Sequence, residues 1–550
     1  MDIYEELVKE LIRKKIKTPK EAMKIRQKLC RKYKPKVLPS FIQTLLRANK
    51  EELPKLSFLV TKPMRTASGV APVAIMTTPA KCPHGKCTIC PGGVKSSFGT
   101  VPQSYTGEEP AARRAARNNY DPYLQIFNRL EQYTLLNQSA QKIELIIMGG
   151  TFPARTKKYQ EEFVAYSLKA MNDFGKFKDI DKFRKHFLLP ADVNDQKRFE
   201  KVQKNTLKLK GKADLLKEQK RNETAMNRCV AMCVETRPDY GKLKHGNEML
   251  HLGCTRVELG VQSVYDDVLK RINRGHTTQD TKESIRILKD LGFKVAGHYM
   301  PGLPGVSKQR DIEGMKLLFD DPDYRLDMLK IYPCMVTRGT QLYEGYKSKK
   351  FKPITVKDAV EIVVEFKKFV PAYCRIQRIQ RDIPVQQISG GIKMTNLRQF
   401  IHDNYNPVCR CIRCREPRKK KISWKSVEFK NLVYEASKGK EFFISAEDVK
   451  NDIIIGFVRM RFPSQCLRSE ITSSTALIRE LHVYGPSVPL GGKGDIQHRG
   501  IGKQLLHKAE KIAKDNGKNK IVIISGIGVR SYYLNLGYKR DGPYMSKKIC

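Results

Sequence analysis

Apolar positions recur at helical spacing near the N-terminus, where Ile3, Leu7 and Leu11, and later Phe41, Leu45 and Leu46, mark one face of short amphipathic helices rich in Lys and Arg. From residue 70 the period changes. Short β-rich runs, VAPVAIMTT (70–78), KIELIIMGG (142–150), RCVAMCVET (228–236), TRVELGVQS (255–263), KVAGHYMPG (294–302) and DMLKIYP (327–333), alternate with helical stretches. This alternation predicts parallel strands joined by right-handed crossovers. Chemically active residue types end nearly every run, which suits a partial barrel better than an open doubly wound sheet, because barrel sites form at the C-terminal strand ends. A charged insertion at about 175–225, predicted to be helical, falls between the second and third runs. After a helical stretch near 355–372 comes a Cys-rich junction, NYNPVCRCIRCREPRKKK (404–421), and then a second pattern of strands and helices to the end. The expected fold class is α/β. Residues 1–68 form a basic helical segment, 69–372 a partial (βα)6 TIM-like barrel, 373–421 a metal-binding linker and 422–550 a smaller α/β domain.

Composition adds a partner. Of 550 residues, 104 are Lys or Arg and 57 Asp or Glu, a net charge of +47, so a polyanion that releases counterions on binding is the first partner to consider, with RNA or DNA ahead of an acidic membrane. A thermophile surface rich in Lys and Glu would balance its signs better. Lys14, Lys15 and Lys17 in the N-terminal helices are candidate RNA contacts, although such a charge run also suits a solvated face. No window reaches the roughly 18 uninterrupted apolar residues of a membrane span, and the charged N-terminus has no signal-peptide core. A soluble, unexported, cytoplasmic protein is expected. The 14 cysteines are clustered, which fits metal or cluster ligation better than a disulfide framework.

The strongest chemical signal is CPHGKCTICPGG, just after the first predicted strand, where Cys82, Cys87 and Cys90 offer three soft thiolates to an iron-sulfur cluster or zinc. Structural zinc would need a fourth ligand, for which His84 is the close candidate. A 4Fe-4S cluster held by three ligands leaves one iron free to chelate another molecule. Successive strand ends then carry Gly149-Gly150-Thr151, Glu235-Thr236-Arg237, Glu258 with Gln262 and Ser263, and His298 to Gly305. Glycines there admit a ligand's methionyl portion, and Glu, Gln and Ser can bond ribose hydroxyls. Together these features resemble the radical S-adenosylmethionine (SAM) enzymes, which implies SAM held by Gly149, Gly150, Thr151, Glu235, Glu258 and Gln262. Two departures stand: four residues separate the first two cysteines where most of that superfamily has three, and Thr151 replaces the usual Glu.

A second constellation, Gln497-His498-Arg499-Gly500-Ile501-Gly502, opens a helix whose Leu505, Leu506, Ala509, Ile512 and Ala513 form one apolar face. Amides of such a turn at a helix N-terminus suit a pyrophosphate. With the preceding Glu480-Leu481-His482-Val483 strand and the following Tyr532-Tyr533, it resembles the GNAT-type acetyl-CoA-binding domain. There a tyrosine serves as general acid toward the CoA thiolate, and its unperturbed pKa near ~10 suits that task. The alternative for Tyr532 and Tyr533 is a core aromatic pair.

A third cluster, Cys409, Cys411 and Cys414 with His402 upstream, fits a structural zinc pinning the junction. Cys229, Cys233, Cys254 and Cys334 read as small buried hydrophobes. The basic loop with Lys270, Arg271 and Arg274 could meet a substrate phosphate or be a solvated helix end. Arg375, Arg378 and Arg381 recur every third residue and could line one face toward RNA.

A radical SAM barrel followed by a GNAT domain resembles the family of the Elongator catalytic subunit, in single-chain form, over nearly the whole chain. The resemblance implies a tRNA-modifying enzyme that installs a carboxymethyl group, or its precursor, at carbon 5 of the wobble uridine by a radical route, with acetyl-CoA hydrolysis coupled to tRNA binding. It also implies an electron donor, and partner subunits or a homodimer. Two rivals remain: a protein lysine acetyltransferase with Glu480 as base, and a tRNA-binding module with degenerate cofactor sites.

Overall fold

Seven parallel strands build the first sheet, one more than the periodicity predicts. In chain order they are β1 (Ala71–Met76), β2 (Lys142–Met148), β3 (Arg228–Thr236), β4 (Arg256–Gln262), β5 (Lys294–Tyr299), β6 (Met328–Ile331) and β7 (Arg375–Ile379), and each pairs with its sequence neighbour. The computed structural model describes residues 2–35, 38–59, 69–136, 138–192, 195–418, 420–485 and 500–549; Gln497, His498 and Arg499 lie outside them. The sheet curls into an incomplete barrel. Side chains alternate along each strand, so Ile143, Leu145 and Ile147 of β2 are fully buried in the main apolar core that the helices share, while Lys142, Glu144 and Met148 line the lumen.

The seventh strand moves the expected domain boundary. Arg375–Ile379 pairs in parallel with β6 across a register shift between Ile376 and Arg378, so the expected linker at 373 begins inside the barrel sheet. That shift sets Arg375 opposite Met328 and Arg378 opposite Lys330, so both arginines face the lumen but at different heights along it. Arg375, at one end of the lumen, pairs with Glu416 at 2.6 Å, whereas Arg378 and Arg381 lie toward the other end, where the strands terminate.

The insertion is helical, as predicted. Helices Ile180–His186, Gln196–Lys210 and Leu215–Asn222 pack on the barrel through the buried pair Arg198–Glu131 at 2.6 Å and an aromatic cluster of Phe127, Phe174, Phe183 and Phe187. The N-terminal helices Ile3–Arg13, Pro19–Tyr33 and Phe41–Arg47 each open on a capping box, led by Asp2, Thr18 and Ser40, which satisfies amides that the first turn leaves free. Their core is Leu7, Val8, Leu11, Ala22, Leu29 and Leu45. No helix among the described residues is long and apolar enough to cross a membrane.

The C-terminal domain is a second seven-stranded sheet. It opens with β8 (Val427–Ala436), β9 (Gly439–Asp448), β10 (Ile453–Phe462), β11 (Thr475–Val483) and β12 (Lys520–Ile523), and among the described residues of this sheet only β11 and β12 pair in parallel, with helix Ile501–Asp515 between them in the chain. Leu505, Leu506, Ala509 and Ala513 of that helix bury the predicted face against Phe442, Ile444, Val458 and Met460.

A buried ionic lattice joins the two domains. Arg479 of β11 grips Asp327 with both terminal nitrogens at 2.7 Å and reaches Glu441 at 2.8 Å; Arg461 bridges Glu441 at 3.0 Å to Asp290 of the barrel at 2.7 Å. With Lys289 and Arg459, none of these residues is more than 2% exposed. Removing one member of such a lattice strands charges away from water. Arg461→Met is therefore expected to destabilise the protein by about 3 kcal/mol, the low end for a broken buried pair, because Ser464 still donates to Asp290. Chemical denaturation reads this directly, and an unchanged midpoint would remove the lattice as a source of stability.

Candidate active site

The loop after β1 delivers its three cysteines to a cavity of about 170 Å³ at the C-terminal end of the strands. Cys82, Cys87 and Cys90 all line it. The loop is clamped from behind by residues 272–275: Thr88 N donates to Ile272 O at 3.0 Å, Asn273 Nδ2 to Lys86 O at 3.0 Å, and Gly275 lies so close that an added Cβ would meet His84 at 2.6 Å. His84 sits between two thiols, its ring nitrogens 3.1 Å from Cys82 Sγ and from Cys87 Sγ. Arg274 Nη1 reaches Cys87 Sγ at 3.6 Å, Arg237 Nη1 reaches Cys82 Sγ at 4.0 Å, and Gln103 Nε2 reaches Cys90 Sγ at 3.5 Å.

Around these sulfurs the strand ends present the expected groups, with corrections. Gly150 and Thr151 line the cavity, but Thr151 Oγ1 lies 3.7 Å from Cys82 Sγ, and Gly149, with φ +116, turns the chain where a Cβ would come within 2.6 Å of Thr77 Oγ1. Glu235 accepts from Tyr105 Oη at 3.0 Å and from Lys330 Nζ at 3.3 Å. Glu258 stands among cations. Burial opposes its charge, but Lys330 and Arg256 outweigh burial and hold the carboxyl well below the usual range. Lys330 pairs with it, Arg256 Nη2 lies at 3.1 Å, and His298 Nε2 stands 3.1 Å away. These cations make Glu258 a brace of the lumen wall, and it still lines the cavity with an Oε1 that accepts no hydrogen bond. Gln262 and Thr236 also line the cavity, and Gln262 Oε1 and Thr236 Oγ1 are buried without a hydrogen-bond partner. Gln262 also holds φ +66, a conformation a β-strand residue rarely adopts.

At the other end of the lumen lies a larger cavity, about 660 Å³. It opens because β11 and β12 pair only from Thr475 to Ile478, after which β11 stays with β10 through Val483. Glu480, Leu481, His482 and Val483 form one wall; Gly500, Ile501, Gly502, Tyr532 and Tyr533 form another. Gly500 caps helix Ile501–Asp515 at φ +79, leaving first-turn amides for an anion. A Cβ on Gly502 would lie 3.2 Å from Tyr532 Oη, so the glycine lets the hydroxyl sit over that turn. Burial raises the Tyr532 pKa and keeps the phenol protonated. Tyr533 is a core residue packed edge-on against Tyr538, which leaves Tyr532 as the candidate acid. Glu480 does not fit a general base. Lys294 and Arg459 hold it at 2.5 Å and 2.9 Å, and although burial opposes ionisation, the two cations keep its carboxyl at about 2.

The third cluster forms in part. The sulfurs of Cys409, Cys411 and Cys414 lie within 4.8 Å of one another. Hydrogen bonds from Cys409 and Cys411, with Lys367 and Arg398 nearby, hold the Cys414 thiol low. His402 does not join them: Lys367 Nζ stands 3.2 Å from His402 Nε2 and 3.7 Å from Cys414 Sγ, so an ammonium occupies the approach expected for the imidazole.

Among the expected RNA contacts, Lys14, Lys15, Lys17, Lys270 and Arg271 are exposed, with Lys14 paired to Glu10 at 3.3 Å. Arg274 is not among them. It is buried against the cysteine loop, with Nη2 donating to Gly260 O at 2.9 Å, which corrects its assignment to a phosphate.

Comparison with known proteins fits this geometry. Residues 76–318 match the radical SAM superfamily, 326–406 a radical SAM C-terminal domain and 406–538 the acetyltransferase (GNAT) family. A tRNA uridine(34) acetyltransferase of Methanocaldococcus infernus is 46% identical, covering 100% of this chain and 98% of the relative. Elongator complex protein 3 of Saccharomyces cerevisiae is 41% identical over 95% of this chain and 91% of its own. The chain belongs to the Elongator complex protein 3 family. The solved structure of archaeal M. infernus Elp3 with an N-terminal deletion matches at TM-score 0.71 and 41% identity, covering 88% of this chain and 100% of that one.

The protein is thus a radical SAM enzyme with an acyltransferase domain, and its family implies SAM, a 4Fe-4S cluster and acetyl-CoA. The residues present fit them: three thiols converge on one cavity, cationic donors reach two of the sulfurs, and Thr236 Oγ1, Glu258 Oε1 and Gln262 Oε1 are buried there without a hydrogen-bond partner. Sequence reasoning missed Tyr105, Gln103, Lys330 and Tyr332 as lining residues. Lys330 and Tyr332 lie within the predicted DMLKIYP run, where strand alternation alone could have marked them as inward-facing.

Gly502→Val is expected to weaken acetyl-CoA binding roughly tenfold, about 1.4 kcal/mol, by pushing Tyr532 off the helix turn, with the absorbance of the reconstituted cluster unchanged. Calorimetric titration with acetyl-CoA measures it, and wild-type affinity would remove Gly502 and Tyr532 from that site.

Proposed function

We propose that this chain modifies the wobble uridine of tRNA at carbon 5, joining the methyl carbon of acetyl-CoA to the uracil ring and releasing CoA by hydrolysis, so that a carboxymethyl group or its precursor remains. The observation that carries this reading is the placement of two cofactor-type cavities at opposite ends of one barrel lumen, with Arg256 lining one and Glu258, two residues on, lining the other. A thioester donor alone needs a nucleophile, and carbon 5 of uracil is a poor one. When bound, the cluster and SAM would supply a 5′-deoxyadenosyl radical able to take a hydrogen atom from the unreactive methyl group; an external electron donor would reduce the cluster beforehand, and bond formation at carbon 5 would release the ring hydrogen as a proton and return one electron to an acceptor such as the oxidised cluster.

The chain's own groups have definite tasks on this reading. Cys82, Cys87 and Cys90 hold the cluster, and Gly150, Glu235, Thr236 and Gln262 receive SAM. The first-turn amides after Gly500 hold the pyrophosphate of acetyl-CoA, and Tyr532 gives its proton to the departing thiolate. Exposed Lys15, Lys17, Lys270 and Arg271 supply phosphate contacts within a +47 surplus, consistent with recognition of an RNA backbone and a splayed base. The names of the 46% and 41% identical relatives support the substrate. Partner subunits and a cytoplasmic setting belong to the same reading. A lysine acetyltransferase is less favoured, because Glu480 is ionised and locked between two cations, and it would leave the cysteine cavity without a task.

The test is anaerobic incubation of reconstituted protein with SAM, a reductant, methyl-labelled acetyl-CoA and unmodified tRNA, followed by nucleoside mass spectrometry. Label at carbon 5 of the wobble uridine with release of 5′-deoxyadenosine is the expected result; label only on protein lysines would replace the proposal with the acetyltransferase reading.

Cys409, Cys411 and Cys414 are proposed as three thiolate ligands of a structural zinc at the domain junction. Cys411→Ser is expected to abolish bound zinc and lower Tm, whereas His402→Ala leaves the zinc content unchanged. Elemental analysis checks both, and loss of zinc on replacing His402 would restore it as the fourth ligand.

A further inference from the structure

Two guanidinium groups face the cysteine sulfurs, and they are not equivalent. Arg237 is 3% exposed and its charge is answered: Nε and Nη2 bond the Asp239 carboxylate at 2.9 Å and 2.6 Å, and Nη2 also donates to Gly275 O at 2.7 Å. Arg274 is 9% exposed, yet its protein partners are the carbonyl of Gly260 at 2.9 Å and Cys87 Sγ at 3.6 Å. Among the described residues no carboxylate pairs with it, and its Nε is buried without a partner. An unanswered cation away from water is costly unless an anion is supplied to it. Gly260 leaves room for this guanidinium: a Cβ there would stand 2.4 Å from Arg274 Nη2. The whole segment 272–275 clamps the cysteine loop.

We infer that Arg274 is the electrostatic counter-charge of the iron-sulfur cluster, a positioning residue that favours the reduced, more negative state and thereby sets how readily the cluster accepts its electron. Arg237, already neutralised by Asp239, fixes the loop and contributes much less to the potential. The inference rests on the assignment of the cluster to Cys82, Cys87 and Cys90. It separates Arg274 from its exposed neighbours Lys270 and Arg271, which remain free to meet RNA.

The experiment uses the full chain, reconstituted anaerobically without SAM or RNA, with iron content measured and the cluster titrated under electron paramagnetic resonance. Arg274→Gln is expected to retain iron while its ratio of reduced to oxidised cluster at a fixed solution potential falls about tenfold or more, on the scale of a charge removed from ~4 Å in a protein interior. Arg274→Lys should recover most of that ratio, Arg237→Gln should move it by less than half as much, and tRNA affinity of Arg274→Gln should stay at the wild-type value. A wild-type ratio in an iron-replete Arg274→Gln protein would overturn the inference, as would an equal or larger shift for Arg237→Gln. If Arg274→Gln loses its iron while Arg274→Lys keeps it near the wild-type potential, charge is the operative property and the inference stands; if both lose it, guanidinium shape rather than charge is at work and the inference falls. Wild-type protein that binds no cluster would instead remove the underlying cysteine assignment.

Discussion

The two-domain arrangement depends on a buried cation between carboxylates. Arg479 grips Asp327 and Glu441 at once, and it lies on β11 immediately before the residues that wall the larger cavity. In low dielectric such a pair is strong only while its geometry is kept, and each charge is expensive if left alone. The result is a joint with little tolerance for rotation. A barrel and an acetyltransferase domain that merely touched could present their cavities at any angle; here the lattice fixes one end of the lumen against the splayed strands.

Inside the lumen the same logic operates on a smaller scale. Glu144, Arg256, Glu258, Lys330 and His298 form a charged septum between the two cavities, and the strand period places its members in successive layers. Each group has a partner, so the septum is stable without being apolar. Polar septa rearrange by exchanging partners, whereas a packed apolar plug would have to open a void.

Much of this was legible in the sequence. All six predicted barrel strands form, because continuous apolar runs ending in glycine and polar residues have few other solutions in a parallel sheet. The cysteine loop and the glycine turn carried their chemistry in local spacing. The misses share a cause, which is contact between residues far apart in the chain. Nothing near Arg274 says that it turns inward onto Cys87, or near His402 that Lys367 intervenes. The seventh strand was obscured by its arginines, which look solvated until Glu416, 41 residues on, answers one of them. The hairpin β8–β9 fits the same pattern: its turn residues Ser437 and Lys438 hold φ of 47 and 61, a geometry normally written Asn-Gly, and Ser437 is held there by the carbonyl of Pro322, far back in the chain, and by Arg461, 24 residues on.

Glu223, at the end of the barrel insertion, receives Arg530 at 3.0 Å and Arg540 at 3.3 Å. Arg530 opens the short helix that carries Tyr532, so a segment that resembles a disposable decoration of the barrel is in fact the anchor of the tyrosine in the other domain. A charge reversal at Glu223 would therefore be felt at Tyr532 through Arg530, a coupling between positions 307 residues apart in the sequence.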